Sequence, residues 1–226
     1  MQYNKIIPIG YGCGISFVLK HLNIKKETSL FEWFLTKSLD DITNLINMIG
    51  KNKCEVVITK TNIINHPTRK HTIYINGNNI QSDHYDYDEY LHIFPRRADR
   101  FINDIKNNNN TILFVRNVDY NEIISSEMID KFYESLININ PTIKCKLLLV
   151  SNVLKKYKFN KINRNDITHV CIAKKDIKNI HWVKKTPGIK IWLTALISAG
   201  YIYEPVNDES ITKHTNDKDK DVEFWK

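Results

Sequence analysis

The chain has 226 residues, which is long enough to build one well-buried core. Hydrophobic residues make up 42% of it and charged residues 26%, a balance that excludes an intrinsically disordered protein. The formal net charge is +8, but the excess consists of scattered lysines without an arginine-rich block, so nucleic acid is not an expected partner.

The four cysteines, Cys13, Cys54, Cys145 and Cys171, lie far apart and form no Cys-x-x-Cys pair. This spacing excludes a zinc knuckle and a thioredoxin motif, and we expect neither a metal nor another cofactor. No apolar run suits a signal peptide or a membrane span, which predicts a cytoplasmic, reducing environment and no membrane partner. The heavy use of Asn, Ile and Lys is typical of an AT-rich genome.

The first part of the chain predicts one strand followed by two helices. Residues 5–9 form a short apolar strand, and residues 15–22 carry apolar side chains at helical spacing. Ser38, with Asp41 three residues later, is a capping signal for a second amphipathic helix over 39–49.

The next segment departs from this alternation. Residues 55–59 and 71–75 are strand-like, and Asn76-Gly77 is a strong hairpin turn because both positions tolerate positive φ. Residues 51–83 therefore predict a small β insertion.

The second half returns to alternating helices and strands. Residues 87–106 predict a helix that Pro95 interrupts or restarts. Further strands are expected at 111–116, 146–150 and 168–173, and further helices at 127–139 and 189–199.

Together these elements predict an α/β fold. Continuous apolar strands between helices favour a three-layer, mainly parallel sheet, Rossmann-like or GDSL-hydrolase-like, with a small β-hairpin insertion. We expect a single domain over residues 1–206, followed by a polar, flexible tail over 207–226.

In open parallel sheets, functional residues gather beyond the carboxyl ends of the strands. In this chain those ends are followed by the Gly10-Tyr-Gly-Cys-Gly14 turn, Arg116-Asn117, Ser151-Asn152 and the stretch from Asp176 to His181. We therefore expect these residues to converge at one edge of the sheet.

Cys13 is the candidate nucleophile at that edge. It stands at the start of a predicted helix, where backbone N–H groups and the helix dipole lower a thiol pKa. The alternative is that Cys13 is a small buried apolar residue. Cys54, Cys145 and Cys171 lie in apolar strand-like stretches, and for them burial is the expectation.

The same turn also suits a different ligand. Gly10, Gly12 and Gly14 nearly match a dinucleotide-binding fingerprint, so the turn could hold a phosphate or a nucleotide-sugar. Arg97 and Arg116 would then bind the anionic charge.

Several motifs resemble a known family. Gly10-Tyr-Gly-Cys-Gly14, Leu19-Lys-His-Leu22, Ser29-Leu-Phe-Glu-Trp33, Pro95-Arg-Arg-Ala-Asp-Arg-Phe101 and Ile112-Leu-Phe-Val-Arg116 resemble, in order, the motifs of the putative papain-like cysteine peptidases. The similarity spans roughly residues 5–116, with Leu30 and Glu32 where the family typically has Pro and Asp. The resemblance implies a cysteine hydrolase.

Two histidines compete as the partner of Cys13. The resemblance implies His84, although the Asp that should follow it comes one place late, at Asp86. Sheet topology favours His181 with Asp176, an arrangement similar to the C-terminal block of GDSL-type lipases and esterases. In that interpretation Asn117 or Asn152 donates to an oxyanion.

The leading hypothesis is a cysteine-dependent hydrolase or acyltransferase that acts on a small-molecule, glycan or peptide substrate through an amide or ester carbonyl. The alternative is a transferase or binding module that holds a nucleotide-sugar or phosphate ligand in the glycine turn. A third hypothesis is an interaction protein that retains only the scaffold.

Overall fold

The computed structural model describes residues 2–11, 14–24, 27–52, 56–62, 71–76, 80–82, 85–118, 122–152, 165–172 and 186–201. Their helices and strands are, in order, β1 (Lys5–Pro8), α1 (Gly14–His21), β2 (Leu35–Thr36), α2 (Leu39–Asn52), β3 (Ile58–Asn62), β4 (His71–Ile75), β5 (Ile80–Ser82), α3 (Tyr87–Lys106), β6 (Thr111–Val118), α4 (Ser126–Ile137), β7 (Lys144–Asn152), β8 (Ile167–Ile172) and α5 (Thr186–Ser198).

The first sheet is parallel and follows the order β1-β6-β7-β8. Its register places Phe114 of β6 opposite Ile7 of β1 and Leu147 of β7. Because all four strands run the same way, their carboxyl ends meet at one edge. The predicted α/β class with a parallel sheet is confirmed.

Helices cover both faces of this sheet. Phe114 and Leu149 point into a core shared with α2, α3 and α4, whereas Leu113 and Leu148 pack with α1 and α5. Successive side chains of a strand point to opposite faces, so two helix-covered faces require continuous apolar strands. The runs in β6 and β7 meet that requirement.

The second sheet is antiparallel, in the order β2-β5-β4-β3. Asn76, with a φ of 51°, follows β4, which pairs antiparallel with β5; Gly77, the second residue of the predicted turn, lies outside the described residues. Ile73 and Ile80 are buried in the same core as α2 and α3. The second sheet is therefore antiparallel, as strand-like stretches in this part of the chain suggested, but its strand β2 comes from the segment before α2 and was not anticipated. That residues 51–83 are an insertion stays a prediction.

The start of α2 has the predicted cap. The Ser38 backbone N–H donates to Asp41 Oδ2 at 3.0 Å, and the Asp41 N–H donates to Ser38 Oγ at 3.1 Å. These reciprocal bonds satisfy N–H groups that a helix leaves unpaired at its first turn.

The prediction that Pro95 interrupts its helix is wrong, because α3 runs unbroken from Tyr87 to Lys106. Proline removes one N–H and costs about 3 kcal/mol inside a helix. The helix buries Tyr90, Phe94 and Phe101 on one side, and each such side chain contributes about 1.5 to 3 kcal/mol. Pro95 itself lies on the exposed side.

The predicted tail over 207–226 lies outside the described residues. Within the described ranges, no helix combines the length and the apolar character needed to cross a membrane.

Candidate functional site

The structure describes about half of the predicted site residues. Gly10, Gly14, Arg97, Arg116 and Asn117 are described, and Asn152 is described in its backbone as the last residue of β7. The others, Gly12, Cys13, His84, Asp176 and His181, lie outside the described residues.

Gly10 follows β1 with a φ of 119°, in the region that favours glycine. A Cβ atom there would lie 2.0 Å from Thr36 Oγ1 and 2.5 Å from Arg116 Nη1. The space next to Gly10 is therefore filled by two side chains of the protein itself, and a part for this glycine in phosphate binding stays a prediction.

Arg116 is fully buried and all of its N–H groups have acceptors within the chain. Nε and Nη2 donate to the Glu122 carboxylate at 2.8 to 3.0 Å. Nη1 donates to Ile9 O and Thr36 Oγ1, and Nη2 also donates to Thr36 O. A guanidinium has five N–H donors, so none remains for a phosphate. The predicted anion-binding role of Arg116 does not fit this geometry.

Arg116 instead holds several elements together. Its contacts join the end of β1 at Ile9, the strand β2 at Thr36 and the stretch before α4 at Glu122. Glu122 Oε1 also accepts the N–H of Leu39 at the start of α2. Because both charges are buried and hydrogen-bonded, this pair fixes the backbone beneath the glycine turn.

Arg97 is nearly buried and contacts Tyr85. Its Nη1 donates to the Tyr85 hydroxyl at 2.6 Å, and its guanidinium lies 4.9 Å from the centre of the Tyr85 ring. Burial raises the pKa of Tyr85, and this exceeds the opposing effect of the Arg97 charge. Arg97 is thus placed beside the residue that follows His84, and its binding of an anion stays a prediction.

A short segment, residues 32–36, contacts the glycine turn on both sides of Cys13; we call it the Trp33 segment. Before the cysteine, the Tyr11 N–H donates to Thr36 Oγ1 at 3.2 Å. After it, the Phe17 ring in α1 meets the Trp33 ring edge to face, with centroids 4.9 Å apart. Trp33 has a φ of 70°, which is rare for a bulky residue and recurs where structure is held for function.

The Trp33 segment also contacts the chain on both sides of His84. Ser82 Oγ donates to Trp33 O at 2.7 Å, and Leu35 pairs with Gln81 in the antiparallel sheet. Beyond the histidine, the Tyr85 hydroxyl lies 3.4 Å from Glu32 O and donates to it. The flanks of Cys13 and of His84 are therefore attached to the same five residues.

Asn117 lies near the end of β6, next to the turn that carries Cys13. Its Nδ2 donates to Tyr11 O at 3.3 Å, while its Oδ1 is buried and has no hydrogen-bond partner among the residues that the structure describes. Ser16 Oγ, in the first turn of α1, is buried as well and finds no partner within the described part of the chain. An unpaired buried polar atom costs about 1 to 3 kcal/mol, so these atoms mark a place where a polar partner is expected.

At the far side of the same sheet edge lies a cluster that the sequence analysis missed. Ser151 of β7 is within hydrogen-bond distance of His169 of β8, and Cys171 lies beside both. Cys171 is exposed, so the expectation that it is buried is wrong. The available signal was that His169 and Cys171, two residues apart in one strand, share a face.

One cavity lies apart from this edge. A polar groove of about 420 Å³ separates α2 from α4, and none of the predicted site residues lines it. Across the described ranges, no group of three or more His, Cys, Asp or Glu side chains is arranged to hold a metal ion.

The fold and the site define the class of the protein: it is an α/β protein whose glycine turn, with its cysteine, joins a parallel strand to a helix. The chain matches the family of putative papain-like cysteine peptidases over residues 4–153, more than half of its length, and it belongs to that family. Neither the curated proteins nor the solved structures contain a significant match to it.

Proposed function

We propose that the protein is a cysteine-dependent hydrolase or acyltransferase in which Cys13 is the nucleophile, His84 accepts its proton and Asn117 is the third polar group. One observation carries the proposal: the residues on both sides of Cys13 and on both sides of His84 contact the Trp33 segment. Family membership supports cysteine chemistry at the level of class.

Chain length supports the pairing of these two residues. Cys13 is two residues from Tyr11, and His84 is one residue from Tyr85. Two extended residues span at most about 7 Å. Since the flanks are attached to one five-residue segment, a thiol and an imidazole carried on such short pieces can meet.

The position of Cys13 also favours the thiolate. Gly14, the next residue, is the first of α1, an eight-residue helix. The unpaired N–H groups and the dipole at a helix N-terminus stabilise an anion there, and a cysteine in that place ionises more readily than a free one.

His181 is the weaker candidate. It follows β8, which is separated from β1 by β6 and β7. With strands about 4.8 Å apart, the carboxyl ends of β1 and β8 are about 14 Å apart. His181 and the residues around it, 173–185, lie outside the described ranges.

Asn117 supplies the polar group that a cysteine–histidine pair requires. Its Nδ2 bond to Tyr11 O holds the carboxamide against the turn, and its Oδ1, which has no partner among the described residues, can accept the ring N–H of the imidazole. The chain order Cys13, His84, Asn117 is also the Cys-His-Asn order of papain-like enzymes.

The reaction follows from these roles. Cys13 Sγ attacks the carbonyl carbon of an amide or ester while His84 takes the thiol proton, and the resulting tetrahedral intermediate expels the amine or alcohol, which receives that proton. A thioester on Cys13 remains. Water then hydrolyses it, or a second nucleophile accepts the acyl group.

Alkylation by iodoacetamide tests the nucleophile and chooses between the histidines. At neutral pH we expect Cys13 in the folded protein to react about tenfold faster than in the urea-denatured chain, because its pKa is lowered. His84→Asn should remove most of this advantage, and the matched variant His181→Asn should retain it. An effect of His181→Asn alone would assign the proton acceptor to His181, and a folded Cys13 no faster than the denatured one would overturn the proposal.

A p-nitrophenyl ester tests the acyl step. Mass spectrometry should detect an acyl group on the Cys13 peptide of the wild-type protein, and neither Cys13→Ser nor His84→Asn should accumulate it at the same rate. Acylation that persists at the same rate in Cys13→Ser would place the chemistry elsewhere.

A further inference from the structure

A second reactive arrangement lies at the ends of β7 and β8. Ser151 Oγ is 2.8 Å from His169 Nε2, and Cys171 Sγ is 3.6 Å from Ser151 Oγ. The thiol sulfur is 3.8 Å from the imidazole nitrogen, so the hydroxyl provides the shorter route between them.

The strand register creates this arrangement. Ser151 is paired with Cys171 in the parallel ladder, and His169, two residues earlier, points to the same face. Three polar side chains of two neighbouring strands therefore lie on one face, with His169 next to the core residue Leu149 and with Ser151 and Cys171 nearer the carboxyl ends of the strands.

The exposure of the three side chains increases from Ser151 through His169 to Cys171. Ser151 is buried, His169 is half-buried and Cys171 is exposed. Burial lowers the pKa of His169, so its imidazole is neutral at neutral pH and Nε2 can accept a hydrogen bond. The hydroxyl then donates to His169 and can accept from the thiol, which is the one group of the three that solvent reaches freely.

We propose that Cys171 is a thiol-modification site for small disulfides, with Ser151 and His169 acting as a relay that removes the thiol proton. Two of the described cysteines, Cys145 and Cys171, differ in how readily their thiols should react. Burial raises the pKa of Cys145 to about 12, which keeps it a protonated and unreactive thiol. Cys171 is exposed and is next to an acceptor.

The reaction is a thiol–disulfide exchange that needs only Cys171 and the small disulfide. Cys171 Sγ attacks one sulfur of the small disulfide, the disulfide bond breaks and a mixed disulfide forms. The thiol proton passes through Ser151 Oγ to His169 Nε2 and is finally taken up by the thiolate that leaves. The small disulfide is reduced to one thiol and one protein-bound sulfur.

This site is separate from the one proposed for Cys13. Residues 169 and 171 lie beyond the part of the chain that matches the family, which ends at residue 153. Failure of either proposal therefore leaves the other standing, because mass spectrometry measures each cysteine by its own peptide.

Glutathione disulfide is the probe, and the wild-type protein is the first test. At neutral pH, Cys171 of the folded protein should form the mixed disulfide about tenfold faster than Cys171 of the chain in concentrated urea, because only the folded state holds the relay. Equal or slower reaction in the folded state would overturn the proposal. Because this comparison uses only the wild-type protein, misfolding of a variant cannot affect its result.

Two variants then test the relay itself. Ser151→Ala and His169→Gln should each slow the folded protein to about the denatured rate, and Thr168→Ala, on the opposite face of β8, should not. Cys145 reports folding in every sample, because its pKa is raised by burial and it should react slowly until the chain unfolds. A Cys171 rate that stays at the wild-type level in both relay variants, with Cys145 still protected, would contradict the relay.

Discussion

At the scale of single residues, Gly10 shows how one missing Cβ atom determines the packing of a site. The space beside it is occupied by Thr36 Oγ1 and by Arg116 Nη1, which reach the backbone at the end of β1. The buried ion pair of Arg116 and Glu122 depends on this close approach. A side chain at position 10 would separate the charges from their partners, and an unpaired buried charge is strongly destabilising.

Gly10→Ala should therefore lower the free energy of unfolding by about 3 kcal/mol, through overpacking and through a positive φ that alanine disfavours. Urea denaturation monitored by circular dichroism measures this loss.

Gly200→Ala is the matched control. Gly200 has a φ of 92° and ends α5, where the Tyr201 N–H donates to Leu196 O, but the nearest atom to its Cβ position is 4.0 Å away. Alanine at this position meets no steric overlap and is disfavoured only by the positive φ, so a loss of about 1 to 2 kcal/mol in the free energy of unfolding is expected. Equal losses in the two variants would show that steric overlap contributes nothing at Gly10.

At the scale of elements, α3 shows tertiary packing outweighing local preference. Pro95 removes the N–H that would reach the carbonyl of Leu91, yet the helix continues for eleven further residues, to Lys106. Asp86 caps its first turn by accepting the N–H groups of Asp88 and Glu89. The buried stripe of α3 supplies the remaining stabilisation.

Pro95→Ala should raise the free energy of unfolding. Restoring one helical hydrogen bond and removing the ring clash should stabilise the folded state by about 3 kcal/mol. The greater conformational freedom of the unfolded chain lowers stability by about 1 kcal/mol, so a net increase of about 2 kcal/mol is expected. Arg96→Ala, the adjacent exposed position, should change stability by less than about 0.5 kcal/mol. Stability that falls in Pro95→Ala would mean that the ring itself makes a contact that matters.

At the scale of the whole molecule, one ionic cluster connects segments distant in sequence. Lys5 of β1 pairs with Glu27 and with Asp104 of α3, and Arg100 of α3 pairs with Glu27 and donates to Thr28 O. The edge strand of the parallel sheet is thus attached to the long helix and to the stretch that leads from α1 to β2. All four charged groups are partly exposed, so each pair contributes little alone.

The pH dependence of stability tests this cluster. Burial raises the pKa of Glu27, but the hydrogen bonds and charges of Lys5 and Arg100 outweigh it, and the pKa in the folded state is lowered. A lowered folded-state pKa gives stability that is present above the unfolded-state pKa and is lost as the pH falls through the folded-state value.

The stability difference between wild type and Glu27→Gln should therefore be present at neutral pH and disappear in acid, as measured by urea denaturation at a series of pH values. High salt should reduce it at neutral pH, because exposed charges are screened. A difference that does not change with pH would show that the side chain acts through packing and not through its charge.

Local pattern was sufficient for most helices and strands. The strand at residues 71–75 and the helix over 87–106 end where they were predicted, because period and turn residues are local properties. The two residues of β2 carry no such signal, and they form a strand only because β5 supplies a partner. The role of Arg116 was misjudged for a similar reason, since its acceptors come from three separate parts of the chain.

The sequence by itself determined the α/β class, the glycine turn with Cys13 and the family to which the chain belongs. These follow from periodicity and from motifs whose residues are close neighbours along the chain. Only the tertiary structure decided which distant residues meet: the Trp33 segment between the flanks of Cys13 and His84, the enclosed Arg116 and the group of Ser151, His169 and Cys171. Such contacts depend on strand order, register and burial, which no single stretch of sequence encodes.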